Sequence, residues 1–158
     1  MLGIGDRLAF DNPKILIRQS CDHLCCSYSS KPYIYNRSYY SINNVNSSGK
    51  SDANLFYVLA LLNSKLFTFV ARKKRIIRME HGKQPQIRLE DIKSLHVQMP
   101  AVKVQKPFIE KVEQILEAKK CNEEADTSSL ERDIDELVYN LYGLTPVEKN
   151  VLEESTNQ

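Results

Sequence analysis

No stretch of this chain stays apolar for the roughly 18 residues that a membrane-spanning helix needs. Residues 1–10 lack a basic start followed by a long apolar run, so no secretory signal is expected and a cytoplasmic location is. There is no glycine-rich phosphate loop, no G-x-S-x-G elbow and no H-E-x-x-H helix, which removes three familiar routes to catalysis. The three histidines, His23, His81 and His96, have no serine or cysteine partner at a diagnostic spacing. Internal repeats and low-complexity tracts are missing too.

Cysteine is sparse: Cys21, Cys25, Cys26 and Cys121. Without a secretion signal a disulfide framework is not expected. The run from Cys21 through His23 to Cys26 invites a zinc reading. Its spacing matches none of the usual paired knuckles, and no second Cys/His pair follows, so the expectation is free thiols and no metal.

What is present fits one domain, or one domain with an appendage: 158 residues, 42% hydrophobic and 27% charged. The formal net charge is only +2, but its distribution is uneven. Between Lys65 and Arg88 there are eight basic residues and one acid, whereas from Asn122 onward there are ten acids and two bases. A basic zone and an acidic zone give the molecule a field with a direction, and the basic zone would attract a polyanion.

Periodicity organises the chain. Residues 14–18 form a short apolar run after Pro13, suited to a buried strand. Residues 33–35 and 39–42 are aromatic and β-branched, with a turn at 36–38 and a polar loop at 43–52. Leu55, Val58, Leu59, Leu62, Leu66 and Phe69 then fall on one helical face over residues 53–71, with Asp52 as N-cap. Residues 86–89 and 95–99 read as strands. Pro107 opens a helix at its first turn, carrying Ile109, Val112, Ile115 and Leu116. A capping box from Ser128 to Glu131 opens the next helix, Gly143 closes it, and a second box from Thr145 to Glu148 opens a last short one.

The order of strands, one long helix, strands and helices predicts an α+β fold. It has a small mixed or antiparallel sheet region, one long central helix and a C-terminal helical segment. Residues 1–105 hold the strands and the helix 53–71; residues 106–158 are the helical segment of the same domain.

Arg72, Lys73, Lys74, Arg75, Arg78, Lys83, Gln84, Gln86 and Arg88 are candidate DNA contacts. An arginine fork fits phosphate oxygens and the major-groove edge of guanine, and a glutamine amide suits adenine. Lysines near the backbone would add affinity without sequence information. The same cations also read as a solvated run at the negative end of a helix dipole. Tyr35 and Arg37 are further candidates, within a cluster of Tyr33, Tyr35, Tyr39 and Tyr40. Tyrosine can stack on a base or bind a phosphate, and it also forms half-buried cross-strand pairs. No catalytic residue and no metal ligand is expected. Asp133 and Asp135, two residues apart on a helix, face different ways and read as helix N-terminal charges.

Several segments together resemble a known family. They are Pro13-Lys-Ile-Leu-Ile-Arg18, Leu59-Ala-Leu-Leu-Asn-Ser-Lys-Leu66, Val97-Gln-Met-Pro100 and Ile134-Asp-Glu-Leu-Val-Tyr-Asn-Leu-Tyr-Gly-Leu-Thr145, followed by Glu148. In order and spacing they resemble the TaqI-like C-terminal specificity domain of bacterial type IIG restriction-modification enzymes and N6-adenine DNA methyltransferases. The last segment is the most specific, and the resemblance spans roughly residues 13 to 154. It implies a target recognition domain that reads double-stranded DNA and has no catalysis of its own. S-adenosylmethionine and an Asn-Pro-Pro-Tyr type motif belong to an N-terminal methyltransferase domain, the implied partner, and some members add a nuclease. Here the sole Asn-Pro, Asn12-Pro13, is followed by Lys14, so the methyl-transfer apparatus is expected elsewhere and the chain reads as an excised domain or a truncated gene. The motif residues Asn63, Ser64, Leu137, Tyr139, Leu141, Tyr142 and Gly143 read as structural. Two other readings stay open. One is a protein-interaction module whose acidic helices dock a partner or the parent's catalytic domain. The other is half of a type I specificity subunit, which would bring a second recognition region and a long coiled-coil helix.

Overall fold

The computed structural model describes residues 11–32, 38–43, 45–46, 49–50, 54–78 and 83–156. Strand β1 (Lys14–Arg18) is the centre of a three-stranded antiparallel sheet between β2 (Cys26–Ser29) and β3 (Tyr39–Asn43). Ile15 and Ile17 are fully buried and Leu16 nearly so. A central strand covered on both faces reads as a continuous apolar run, and that is how residues 14–18 read in the sequence. The register sets Ile17 opposite Cys26 on one side and Tyr40 on the other. β4 (Val45–Asn46) pairs with β5 (Gly49–Lys50), and β6 (Ile77–Arg78) with β7 (Gln86–Ile87), as two separate two-stranded ribbons. The expected strand at 33–35 and the candidate contacts Tyr35 and Arg37 lie outside the described residues.

The single helix expected over 53–71 is two helices. α1 (Leu55–Asn63) and α2 (Lys65–Lys73) meet at Ser64 with a bend of 63°. Asn54, not Asp52 (itself outside the described residues), caps α1 by accepting from the Phe56 amide at 2.8 Å. Ser64 is extended, with φ −70 and ψ 154. Its amide and hydroxyl both donate to the Leu61 carbonyl, and its Oγ accepts from the Phe67 amide. One serine therefore closes α1 and opens α2. Six of the nine α1 residues are buried, so this helix is enclosed on most sides and not amphipathic.

Asn63 acts beside it. Its side-chain amide donates to the Cys26 carbonyl at 3.0 Å and accepts from the Cys26 amide at 2.9 Å. Both groups are backbone partners that β2 turns away from β1. The asparagine thus satisfies the open edge as a further strand would.

Four more helices follow: α3 (Leu89–Ile92), α4 (Val102–Cys121), α5 (Ser128–Tyr142) and α6 (Pro146–Thr156). Because α3 begins at Leu89, the strand expected over 86–89 stops at Ile87. Residues 95–99 have no regular secondary structure and join no sheet. Tyrosine hydroxyls hold them instead: Tyr57 donates to the Gln98 carbonyl at 2.7 Å, and Tyr142 accepts from the Gln98 amide and donates to the His96 carbonyl. α4 starts five residues before Pro107, whose missing amide leaves only the carbonyl of exposed Lys103 without its usual donor. The cap of α5 is Thr127, one residue earlier than expected. Its hydroxyl donates to Glu131, while Ser128 donates to Asp126. Gly143 ends α5 at φ 68, and Thr145 and Glu148 exchange hydrogen bonds as a capping box should.

Edge-to-face ring pairs lock the layers. Tyr28 meets Phe56 between β2 and α1, Tyr57 meets Phe108 between α1 and α4, and Phe67 meets Tyr142 between α2 and α5. Among the described residues every buried side-chain nitrogen and oxygen has a hydrogen-bond partner. No single helix among the described residues is long and apolar enough to cross a membrane.

Candidate nucleic-acid interface

The nine described candidates fall into two adjoining groups. The first is the C-terminal turn of α2. Arg72 is half-buried, and its guanidinium donates from Nε to the Asp22 carbonyl at 3.0 Å and from a terminal nitrogen to the Ser155 carbonyl at 3.5 Å. It braces the β1–β2 loop and the end of α6. Lys73, Lys74 and Arg75 are exposed. Lys73 Nζ lies 5.3 Å from the centre of the Phe69 ring.

The backbone there is unusual. Arg75 has φ 55, the left-handed region that glycine favours. The Ile76 amide donates to the Ala71 carbonyl and the Arg75 amide to the Arg72 carbonyl, which together make a Schellman cap. Buried Ile76 and Ala71 supply its apolar contact. A side chain in this conformation costs about 1 kcal/mol relative to glycine. The chain nevertheless carries an arginine at this position.

Two buried residues, Ile76 and Ile77, lead to the second group on the β6–β7 ribbon. Ile77 faces Ile87 across the pair, turned into the core, and Arg78 faces Gln86. The Ile87 amide donates to the Gln19 carbonyl at 2.8 Å, which fastens the ribbon to the end of β1. Arg78, Lys83, Gln84, Gln86 and Arg88 line a cleft of about 300 Å³ together with Gln19 and Tyr40. Asp91 holds the Arg78 guanidinium at 2.8 Å, and Gln84 accepts from the Ser20 hydroxyl. Gln86 and Arg88 are exposed. Gln19 carries no sequence signal for this role, since only the register of β1 and the ribbon brings it there.

The acidic helices are organised differently. Lys111 pairs with Asp133 at 2.6 Å, Lys149 with Glu136 at 2.8 Å, and Lys65 with Glu153. Asp133 and Asp135 do face different ways, but Asp135 is more than a helix-end charge. It is buried and accepts from the Lys65 amide, the first of α2, at 2.9 Å. Burial pushes its carboxyl up to about 6, against the opposing pull of the Lys65 amide and ammonium. Glu153 also accepts from the Tyr139 hydroxyl, and burial drives that phenol upward. The motif residues Asn63, Ser64, Tyr139, Tyr142 and Gly143 thus carry hydrogen bonds and caps of the fold, in line with the structural role expected of them.

The loop between β1 and β2 gathers Cys21, His23 and Cys25, whose ligand-type atoms all lie within 4.8 Å of one another. All four cysteines are free thiols.

A search of curated proteins finds no match. The family described as the TaqI-like C-terminal specificity domain matches residues 4–97, more than half of the chain. The matched span holds both cationic groups and ends at Val97, so the segment 134–145, weighted most in the sequence, lies beyond it. The chain belongs to the TaqI-like C-terminal specificity domain family.

Proposed function

We propose that this chain reads DNA sequence for an adenine-specific methyltransferase of the type IIG restriction-modification kind and performs no chemistry itself. Family membership points to a target recognition role in restriction-modification. The observation that carries the finer reading is the ribbon that sets Arg78 opposite Gln86, beside the exposed turn Lys73-Lys74-Arg75. A two-stranded ribbon fits the major groove. There an arginine fork selects guanine and a glutamine amide selects adenine, each good pair being worth about 1–3 kcal/mol of discrimination. Asp91 fixes the direction of the Arg78 fork. The cations of the α2 turn bind phosphates and set the register without reading sequence.

In this reading the duplex is held while a separate catalytic domain, which binds S-adenosylmethionine, receives the flipped adenine. Contacts made here offset the few kcal/mol that unstacking costs. Tyr35 and Arg37 remain candidate contacts on chemistry alone.

Selection of bound duplexes from a randomised pool tests the reading. The chain should enrich a short motif containing guanine or adenine, and Arg78→Ala or Arg88→Ala should relax one position of it. An enriched motif unchanged in both variants contradicts base reading by the ribbon. Methyl transfer from S-adenosylmethionine by this chain alone would contradict its non-catalytic role.

A further inference from the structure

We propose that Cys21, His23 and Cys25 bind a soft divalent cation, Zn²⁺ by preference, through two thiolates and one imidazole, with the fourth position left to solvent. This reverses the expectation from spacing. The residues stand at i, i+2 and i+4, a pattern foreign to paired knuckles, yet the loop folds them together.

One edge of the set lies close to that of a coordination shell. Zn–S near 2.3 Å and Zn–N near 2.0–2.1 Å give a tetrahedral S-to-N edge of about 3.5 Å. Cys21 Sγ lies 3.7 Å from His23 Nε2, and the ligand-type atoms of all three residues lie within 4.8 Å of one another. The carboxylate of Asp22 sits 2.6 Å from Nδ1. A carboxylate on one ring nitrogen is the usual partner of a metal-bound imidazole, and it leaves Nε2 for the ion. Cys26 is not part of the set, because it packs against the core. Cys121 ends α4 and is exposed.

The loop is fixed independently of any ion. The Arg18 amide donates to the Cys25 carbonyl at 3.0 Å. Leu24 is buried, and its amide reaches the Thr68 hydroxyl. The Asp22 carbonyl accepts from Arg72. The backbone is therefore anchored while both thiols stay partly exposed and the imidazole exposed. On binding, each thiol loses its proton to solvent as its sulfur takes up the metal, with no change of oxidation state. The ion would staple the β1–β2 loop at the point where Arg72 leans on it.

Cobalt titration of the reduced chain tests this. We expect one Co²⁺ per chain, with a thiolate charge-transfer band and tetrahedral visible bands that Zn²⁺ displaces. The bands should vanish in Cys21→Ser and Cys25→Ser and persist in Cys121→Ser and Cys26→Ala. Asp22→Asn should weaken binding by about 10–100-fold. Zn²⁺ should raise the melting temperature of the parent chain but not of Cys25→Ser, and circular dichroism checks that each variant is folded. A reduced, folded chain that gives no charge-transfer band overturns the proposal. So does a band that survives in Cys21→Ser or Cys25→Ser, or one lost in Cys121→Ser.

Discussion

Helices α2 and α5 end in the same way, but with different residues at the critical position. Both close with a pair of reversed hydrogen bonds: Ile76 to Ala71 with Arg75 to Arg72, and Leu144 to Tyr139 with Gly143 to Asn140. The left-handed residue is Gly143 in α5, at φ 68, and Arg75 in α2, at φ 55. A Cβ on Gly143 would meet nothing within 4 Å, so glycine serves there through φ alone. At the end of α2 the same geometry is occupied by a charged side chain that strains it. Beside the last turn of α5, Lys149 is paired with Glu136 and reaches Asn140. Around Arg75 the cations Lys73 and Lys74 stand exposed. One end carries glycine beside paired charge, and the other carries backbone strain beside exposed charge, a combination found at functional sites.

The largest expected effect separates the two ends by charge. Lys73→Glu, Lys74→Glu and Arg75→Glu together should lower affinity for duplex DNA by about two to three orders of magnitude near ~0.1 M salt. Lys149→Glu at the other end should leave that affinity unchanged and reduce stability by about 1 kcal/mol or less. Fluorescence anisotropy and urea unfolding read the two quantities. Equal losses of affinity would erase the contrast.

Next comes pH, which should act on folding at the α5 side. Asp135 is raised to about 6 by burial, well above a free carboxyl near 4. Its protonated form is the better-tolerated one, so its stabilising contribution is complete below about pH 4 and is lost as pH rises through about 6. Asp135→Asn keeps an acceptor for the Lys65 amide and removes the titration. Relative to the parent, the variant should gain up to about 3 kcal/mol between pH 4 and pH 7. Denaturant midpoints at both values measure it, and a constant difference would contradict the buried, titrating carboxyl.

The smallest pair of effects addresses the caps themselves. Gly143→Ala should cost about 1 kcal/mol, from φ strain without a clash. Arg75→Gly should stabilise the fold by up to about 1 kcal/mol while weakening DNA binding. Opposite signs on stability and binding in one variant would sharpen the comparison. A destabilised Arg75→Gly would break it.

Much of this was legible in the sequence. Residues 14–18 gave a strand with correct ends because burial on both faces leaves an unambiguous apolar run. Gly143 and the Thr145–Glu148 box were legible because their chemistry is local. The break at Ser64 was not. Leu66 and Phe69 continue the helical count across it, and only hydrogen bonds to Leu61 and Phe67, with Asn63 clamping β2, turn the chain. The strand expected at 95–99 failed for a related reason: hydroxyls from Tyr57 and Tyr142, far away in sequence, replace the ladder. The cationic groups were visible as composition. Their division into an α2 turn and a ribbon that shares a cleft with Gln19 and Tyr40 depends on long-range register that composition does not carry. The matched family span, ending at Val97, also shows that the 134–145 segment is not what places the chain in its family.

The salt dependence of duplex binding bears most directly on the account. If Lys73, Lys74 and Arg75 each neutralise a phosphate, log affinity should fall linearly with log salt at a slope of about −2.7 or steeper. The slope should flatten when those three are replaced by alanine. An affinity indifferent to salt, or a slope the triple replacement leaves intact, would contradict it.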